Sequence, residues 1–206
     1  YGTISNCYST SDVNGNAGLV AVNYGTISDC YSTGTVSGTD AVGGLVGVGY
    51  NISNCYSTSA VSGTSRVGGL IGIIHENGGI SNCYSTGTVN GFSDSHHIGG
   101  LVGGNHGSIS NGYSTGDVNG WEGIGGLVGY SYILGTISNS HSTGMVSGIV
   151  TIGGLVGIND SNISDSYSTG SVNGNLYNGS NNIGGLIGSS NGNINRCYSM
   201  GSVSSS

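Results

Sequence analysis

Proline and lysine are both absent from these 206 residues, and charged side chains make up only 5% of the chain. The two cations are Arg66 and Arg196, against nine acidic residues and a formal charge of −7. With no lysine and two arginines, the counterion release that drives nucleic-acid affinity has little source, so DNA, RNA and anionic membrane surfaces are poor partners. No apolar run is long enough to span a bilayer, so membrane insertion is not expected, and no secretory leader is visible. The absence of proline and the scarcity of charge also argue against disorder, because disordered chains are usually rich in both.

Chemistry is poorly supplied. Polysaccharide lyases and hydrolases need clustered carboxylates or a basic proton acceptor, and here the carboxylates are scattered. Serine is abundant, but a nucleophile needs a partnered base in a distinct setting, and a serine repeated in every copy of a motif does not have one. No enzyme activity and no cofactor are expected.

What the chain does contain is 44 glycines and two recurring phrases. The heptapeptide Ile27-Ser28-Asp29-Cys30-Tyr31-Ser32-Thr33 has its leading Ile at Ile4, Ile27, Ile52, Ile80, Ile109, Ile137, Ile163 and Ile194, with periods of 23 to 31 residues. The second phrase is Val42-Gly43-Gly44-Leu45-Val46-Gly47. Each leading Ile stands nine residues before a Val, without insertion, whereas Val to the phrase Leu varies from 6 to 14 residues and Leu to the next Ile from 7 to 10. Length variation confined to two places marks two corners on a rigid coil. The longest insertions, Phe92 to His97 and Asn175 to Asn182, are expected to project from one edge.

Valine, isoleucine, threonine and tyrosine favour strands, whereas glycine, asparagine, aspartate and serine favour corners. This glycine density excludes the helical repeats of similar period. The spacing predicts a right-handed parallel β-helix, an all-β solenoid of about seven coils of 23–31 residues, continuous over residues 1–206. Each coil would comprise a strand of about five residues, a glycine corner, a short strand at Val, the variable corner and a third strand through Gly-Leu-Val-Gly. The chain opens at Tyr1 without methionine and stops at Ser206 inside a further copy, and so reads as a window on a longer polypeptide.

In such a fold, equivalent residues stack into columns of near-identical side chains. One slot holds Cys7, Cys30, Cys55, Cys83, Gly112, Ser140, Ser166 and Cys197, all small, which suits an interior. Unbroken alternation puts Val36, Gly34, Ser32 and Cys30 inside and Thr35, Thr33 and Tyr31 outside. A reversal at Gly34 would instead bury the column of Tyr8, Tyr31, Tyr56, Tyr84, Tyr113, His141, Tyr167 and Tyr198. The tyrosines are ligand-binding candidates only if they face out. The cysteines are inert small thiols, or adjacent ones bridge coils at a separation that fits a disulfide but with awkward dihedrals.

Asn6, Asp29, Asn54, Asn82, Asn111, Asn139, Asp165 and Arg196 precede the small column, and the Asn/Asp type predicts a corner in the left-handed conformation with an amide ladder from coil to coil. No metal site is expected from the cysteines or acidic residues. His75 with His106, and His96-His97 with Asp94, offer ligand types but read first as exposed corner side chains. The threonine column from Thr10 and Thr33 to Thr169 has the look of an ice-binding ladder, but its partner slot holds Asp12, Asp117 and Met145.

The phrase Gly-Gly-Leu-Val-Gly followed by Thr-Ile-Ser-Asn-Cys-Tyr-Ser-Thr-Gly-x-Val-x-Gly resembles the GLUG repeat of large bacterial and archaeal surface proteins, including secreted peptidases and haemagglutinin-like adhesins. The resemblance covers essentially the whole chain, and the first copy departs from it by reading Gly18-Leu19-Val20-Ala21. It implies an extracellular or cell-surface stalk, adhesin shaft or filament segment without an active site. Its partners would be further coils or copies stacked end to end, or a glycan or host surface protein.

Overall fold

A computed structural model describes residues 2–175 and 182–205. Among these residues every named strand pairing is parallel, and the strands form three sheets that run the length of the molecule. One twelve-stranded sheet carries the Leu-Val-Gly and Ile-Ser segments, which in some coils are a single strand, as in Val20–Ser28 and Val46–Ser53. A second twelve-stranded sheet carries the Val segments on either side of the variable corner, fused in Ala60–Gly68 and Val89–Gly99. The third sheet has eight strands of two residues each, the Tyr-Ser pairs and His141–Ser142.

The register never slips at the repeated residues: Ile27 lies against Ile52, Tyr31 against Tyr56 and Val61 against Val36. The result is a parallel β-solenoid of about six turns, one fewer than predicted. The first coil explains part of the difference: its variable corner is the shortest, and all it builds there is an isolated bridge from Ala17 to Gly43.

The heptapeptide is not one strand. It turns in its middle, at the residue before the small column, where Asn6, Asp29, Asn54, Asn82, Asn111, Asn139, Asp165 and Arg196 all have φ between 48 and 54°. Asparagine and aspartate tolerate this left-handed conformation, and Arg196 is held in it by its neighbours below. The predicted amide ladder is present: Asn111 donates to Asn82 at 3.0 Å, Asn82 to Asn54 at 3.4 Å and Asn54 to Asp29 at 3.3 Å. Arg196 ends the column with a two-pronged contact to Asp165.

A second left-handed column was not foreseen. Ala41, Arg66, His97, Gly123 and Thr151, each just before the Val or Ile that leads into the glycine phrase, have φ between 50 and 66°. The closing glycine of the phrase exists for this corner. A Cβ on Gly103 would lie 2.3 Å from the carbonyl carbon of Arg66, and one on Gly129 would lie 2.4 Å from that of His97. Ala21, the one departure from glycine at this slot, lies in the first coil and is exposed.

The interior has two apolar lobes. One is lined by the Ile, Cys, Leu and Val columns and includes Ile52, Cys55, Leu70 and Ile71. The other is lined by the Val and Val/Ile columns and includes Val61, Val67 and Ile98. Between them the coil is pinched: the inward serines of the Tyr-Ser strands press against the second glycine of each phrase. A Cβ on Gly69 would lie 2.2 Å from both the carbonyl oxygen of Gly100 and Oγ of Ser85.

Two expectations about corners need correction. Gly34 is exposed with φ 99°, turned away from the interior although the flanking Ser32 and Val36 are buried, whereas the equivalent Gly116 and Gly144 are buried. The insertion Phe92 to His97 does not project as a free loop. It stays within the strand Val89–Gly99 as a register shift, with Ser95 buried and accepting the Trp121 amide at 3.0 Å. The insertion from Asn175 to Asn182 lies largely outside the described residues.

The pinch predicts where an added methyl group is intolerable. Gly69→Ala should lower stability by about 3 kcal/mol or more, since backbone rather than a flexible side chain must move. Gly15→Ala, where the nearest atom to a Cβ is the Val13 side chain at 3.5 Å, should stay within about 0.5 kcal/mol. Thermal unfolding of the two variants against the parent reads the difference.

Candidate functional site

The left-handed turn at the Asn/Asp slot rotates the chain so that the small residue points in and the tyrosine out. Cys30, Cys55 and Cys83 are buried, as are Gly112, Ser140 and Ser166, while Cys7 is exposed and Cys197 half-buried at the ends. All five cysteines are free thiols. They form a ladder in which each backbone N–H points at the next sulfur, from Cys7 to Cys30, Cys30 to Cys55 and Cys55 to Cys83, each at 3.4 Å. Ser140 and Ser166 continue it with their hydroxyls, Gly112 N–H donating to Ser140 Oγ at 3.0 Å and Ser140 N–H to Ser166 Oγ at 3.1 Å. Burial pushes the Cys30 thiol up, and the neighbouring Cys83 thiol together with burial pushes Cys55 up, so both stay protonated and unreactive at neutral pH.

Outside, the rings of Tyr8, Tyr31, Tyr56, Tyr84, Tyr113, His141, Tyr167 and Tyr198 form one continuous stack. Successive centroids are 4.8 to 5.2 Å apart, with planes within 7° of parallel. The spacing is that of the coils themselves. The internal rings are half-buried, each packed face to face between its neighbours.

A second aromatic group, which the sequence reading did not assemble, lies along and just past the Leu-Val-Gly strands. Tyr50 stacks on His75 with centroids 4.6 Å apart, and His106 stacks on Tyr132 at 3.8 Å. Tyr130 packs on Tyr132 at 3.9 Å, and His97 meets the Tyr130 ring edge-on at 5.0 Å. The signal was available: Tyr24, Tyr50, His75, His106 and Tyr132 each stand five residues after a phrase Leu. His75 and His106 each stack on a tyrosine, and no group of three metal-ligating side chains occurs among the described residues. Asp40 is gripped by both nitrogen arms of Arg66, which holds its carboxyl low against the opposing effect of burial. The Tyr130 phenol donates to Asp160, and that bond together with burial raises the phenol to about 12.

The three-sided parallel coil, its two left-handed corners and its glycine pinch define a β-solenoid built from a structural repeat. The sequence pattern of the GLUG motif matches residues 63–90, 94–119, 122–147 and 148–173, a little over half of the chain. The chain therefore belongs to the GLUG-repeat family, a structural repeat type rather than an enzyme family and typical of extracellular proteins. No curated protein and no solved structure gives a significant match. No helix is long and apolar enough to cross a membrane among the described residues.

His97 yields a test of the packing. Burial, aided by the neighbouring charges of His96 and Arg66, lowers it to about 4 from an ordinary value of 6.5. The folded chain therefore keeps this ring neutral where the unfolded chain would protonate it. Stability is full above about 6.5 and falls as pH drops towards 4, by a total on the order of 3 kcal/mol from this group. His106 and His141, also lowered by burial, pull in the same direction. His97→Gly, the residue found at Gly123 in the next coil, should reduce the slope of urea stability between pH 4 and 6.5; an unchanged slope would place the proton uptake elsewhere.

Proposed function

We propose that the chain is a load-bearing segment of an extracellular microbial surface protein, a shaft or stalk without catalytic activity. The observation that carries this reading is the in-register stacking of the repeated Ile, Tyr and Val positions from coil to coil, with register shifts confined to the corners. Each coil is joined to the next by backbone hydrogen bonds on all three faces, such as Leu45 N–H to Leu70 at 2.9 Å, Tyr56 N–H to Cys30 at 3.1 Å and Val61 N–H to Thr88 at 2.9 Å. A force along the axis loads these bonds together, and a chain without lysine gives trypsin-like proteases two arginines to cut.

The ends favour company. Tyr8 and Val22 at one end and Ile194, Tyr198 and Val203 at the other are about half exposed. Further coils of a longer array, or a second copy end to end, would cover these apolar groups and complete the hydrogen bonds of the outermost strands. A binding role for the tyrosine column is the second reading, favoured by one feature: a half-buried ring stack along the full length of one face.

Force spectroscopy on the segment held between folded handles checks the first reading. We expect cooperative rips, each releasing one or more whole coils, and chain recovery when the load is removed. Featureless extension at low force would remove the case for a shaft. For the second reading, Tyr56→Ser, Tyr84→Ser and Tyr113→Ser combined should leave the solenoid folded by circular dichroism. If that variant loses a surface ligand that the parent binds, the column is a binding face.

A further inference from the structure

The corner between the phrase Leu and the next Ile is eight residues long or less in five coils, but ten in two: Leu70 to Ile80 and Leu127 to Ile137. These two coils flank the one that carries His106. The first surplus is absorbed as a register shift between Ile74 and Gly79, which lifts Glu76 and Asn77 to the surface. The second is a tight turn closed by Gly135 N–H to Tyr132 at 2.7 Å, which lifts Ile133 and Leu134, 77% and 65% exposed. The shorter coil between them is left as the floor of a cleft of about 350 Å³ lined by Asn77, His106, Gly107, Ser108, Leu134 and Thr136. That volume is at the small end of ligand pockets.

The floor is fixed from beneath. Asn105 is fully buried, accepts the Gly107 N–H at 3.1 Å and donates to Ser131 Oγ at 3.1 Å; Ser131 donates to Ser161 at 2.8 Å. A second depression, lined by Asn51, Ser53, Gly79, Ser81 and Ser110, meets the cleft at Ser108. Together they make a furrow across several coils whose side-chain lining is mostly hydroxyls and amides, with Ile52 and Ile80 in the second depression and the Leu134 side chain and the His106 ring at the other end.

We propose that this furrow binds a neutral polysaccharide, with a sugar ring seated in the cleft between the two lifted corners. The chemistry of the lining selects the class. Asn77, Ser108 and Thr136 have no side-chain hydrogen bond among the described residues, whereas the asparagines of the corner ladder are paired from coil to coil. Free hydroxyls and an amide match sugar hydroxyls, and Leu134 and the His106 ring supply the apolar contact for a sugar's C–H face. Anionic glycans find no free cation, since Arg66 and Arg196 are both engaged with carboxylates. An extended peptide is disfavoured because strand addition needs an unpaired edge, and here the backbone pairs from coil to coil: Thr136 N–H to Gly107 at 2.9 Å and His106 N–H to Ile74 at 3.1 Å.

The site is separate from the tyrosine column, and the shaft reading stands whether or not it binds. The test is amide NMR on the isotope-labelled chain titrated with neutral glucan, galactan and mannan hexasaccharides. We expect one of these to shift the amides of Gly78, Gly107, Ser108 and Leu134 and leave those of Tyr56, Tyr84 and Tyr113 in place. Asn77→Gly, which removes the amide but suits the left-handed φ of 62° at this position, combined with Leu134→Asp at an exposed site, should weaken that binding at least about tenfold. The single variant Thr136→Val, which keeps the shape and removes one hydroxyl, should weaken it less. Shifts confined to the tyrosine face, no shift with any of the three at millimolar concentration, or binding indifferent to the double variant would each overturn the proposal.

Discussion

The structure depends on one close approach, the second glycine of each Gly-Gly pair against the carbonyl of the next coil and the inward serine of the Tyr-Ser strand. Where a methyl group would sit on Gly100 there are already Gly126 O at 2.1 Å and Ser114 Oγ at 2.3 Å. The contact divides the interior into two narrow lobes, each one or two side chains across. Cores this thin cannot absorb a large residue, so the columns that line them are held to Ile, Leu, Val, Cys, Ser and Gly. Stacked backbone hydrogen bonds then fix the register, because a slip by one residue would turn every inward side chain outward.

The sequence made the repeat, the parallel solenoid and the left-handed role of Asn6, Asp29 and their equivalents legible, since those follow from spacing and residue type. The inward Cys and outward Tyr were left as a fork, and the deciding element is the turn at the Asn/Asp residue itself, halfway through the heptapeptide. The second left-handed column was hidden because Ala41, Arg66, His97 and Thr151 are not residues that announce such a conformation. They occupy it because the closing glycine of a following coil packs onto their backbone. Tertiary contact, rather than local preference, sets those four dihedrals.

The candidate sites divide in the same way. The tyrosine column was visible as a recurring letter, and the structure turns it into a ring stack with a spacing set by the strands. The furrow was not visible as a motif, because its floor is an ordinary corner and its walls are two surplus residues in each of the neighbouring coils. Only the comparison of corner lengths, once the coils are stacked, puts Asn77, His106 and Leu134 in one place. The buried Asn105 and Ser131 beneath it were equally silent in the sequence, since the same position holds Gly49 and Ile74 in earlier coils.

The fold seals a column of small residues inside and sets a column of rings outside, and the cysteines measure this directly. Native-state labelling with a water-soluble thiol reagent, read by mass spectrometry at each site, should modify Cys7 rapidly and leave Cys30, Cys55 and Cys83 untouched until the solenoid unfolds. Equal labelling of Cys7 and Cys55 under native conditions would contradict the inward column and the fold built on it.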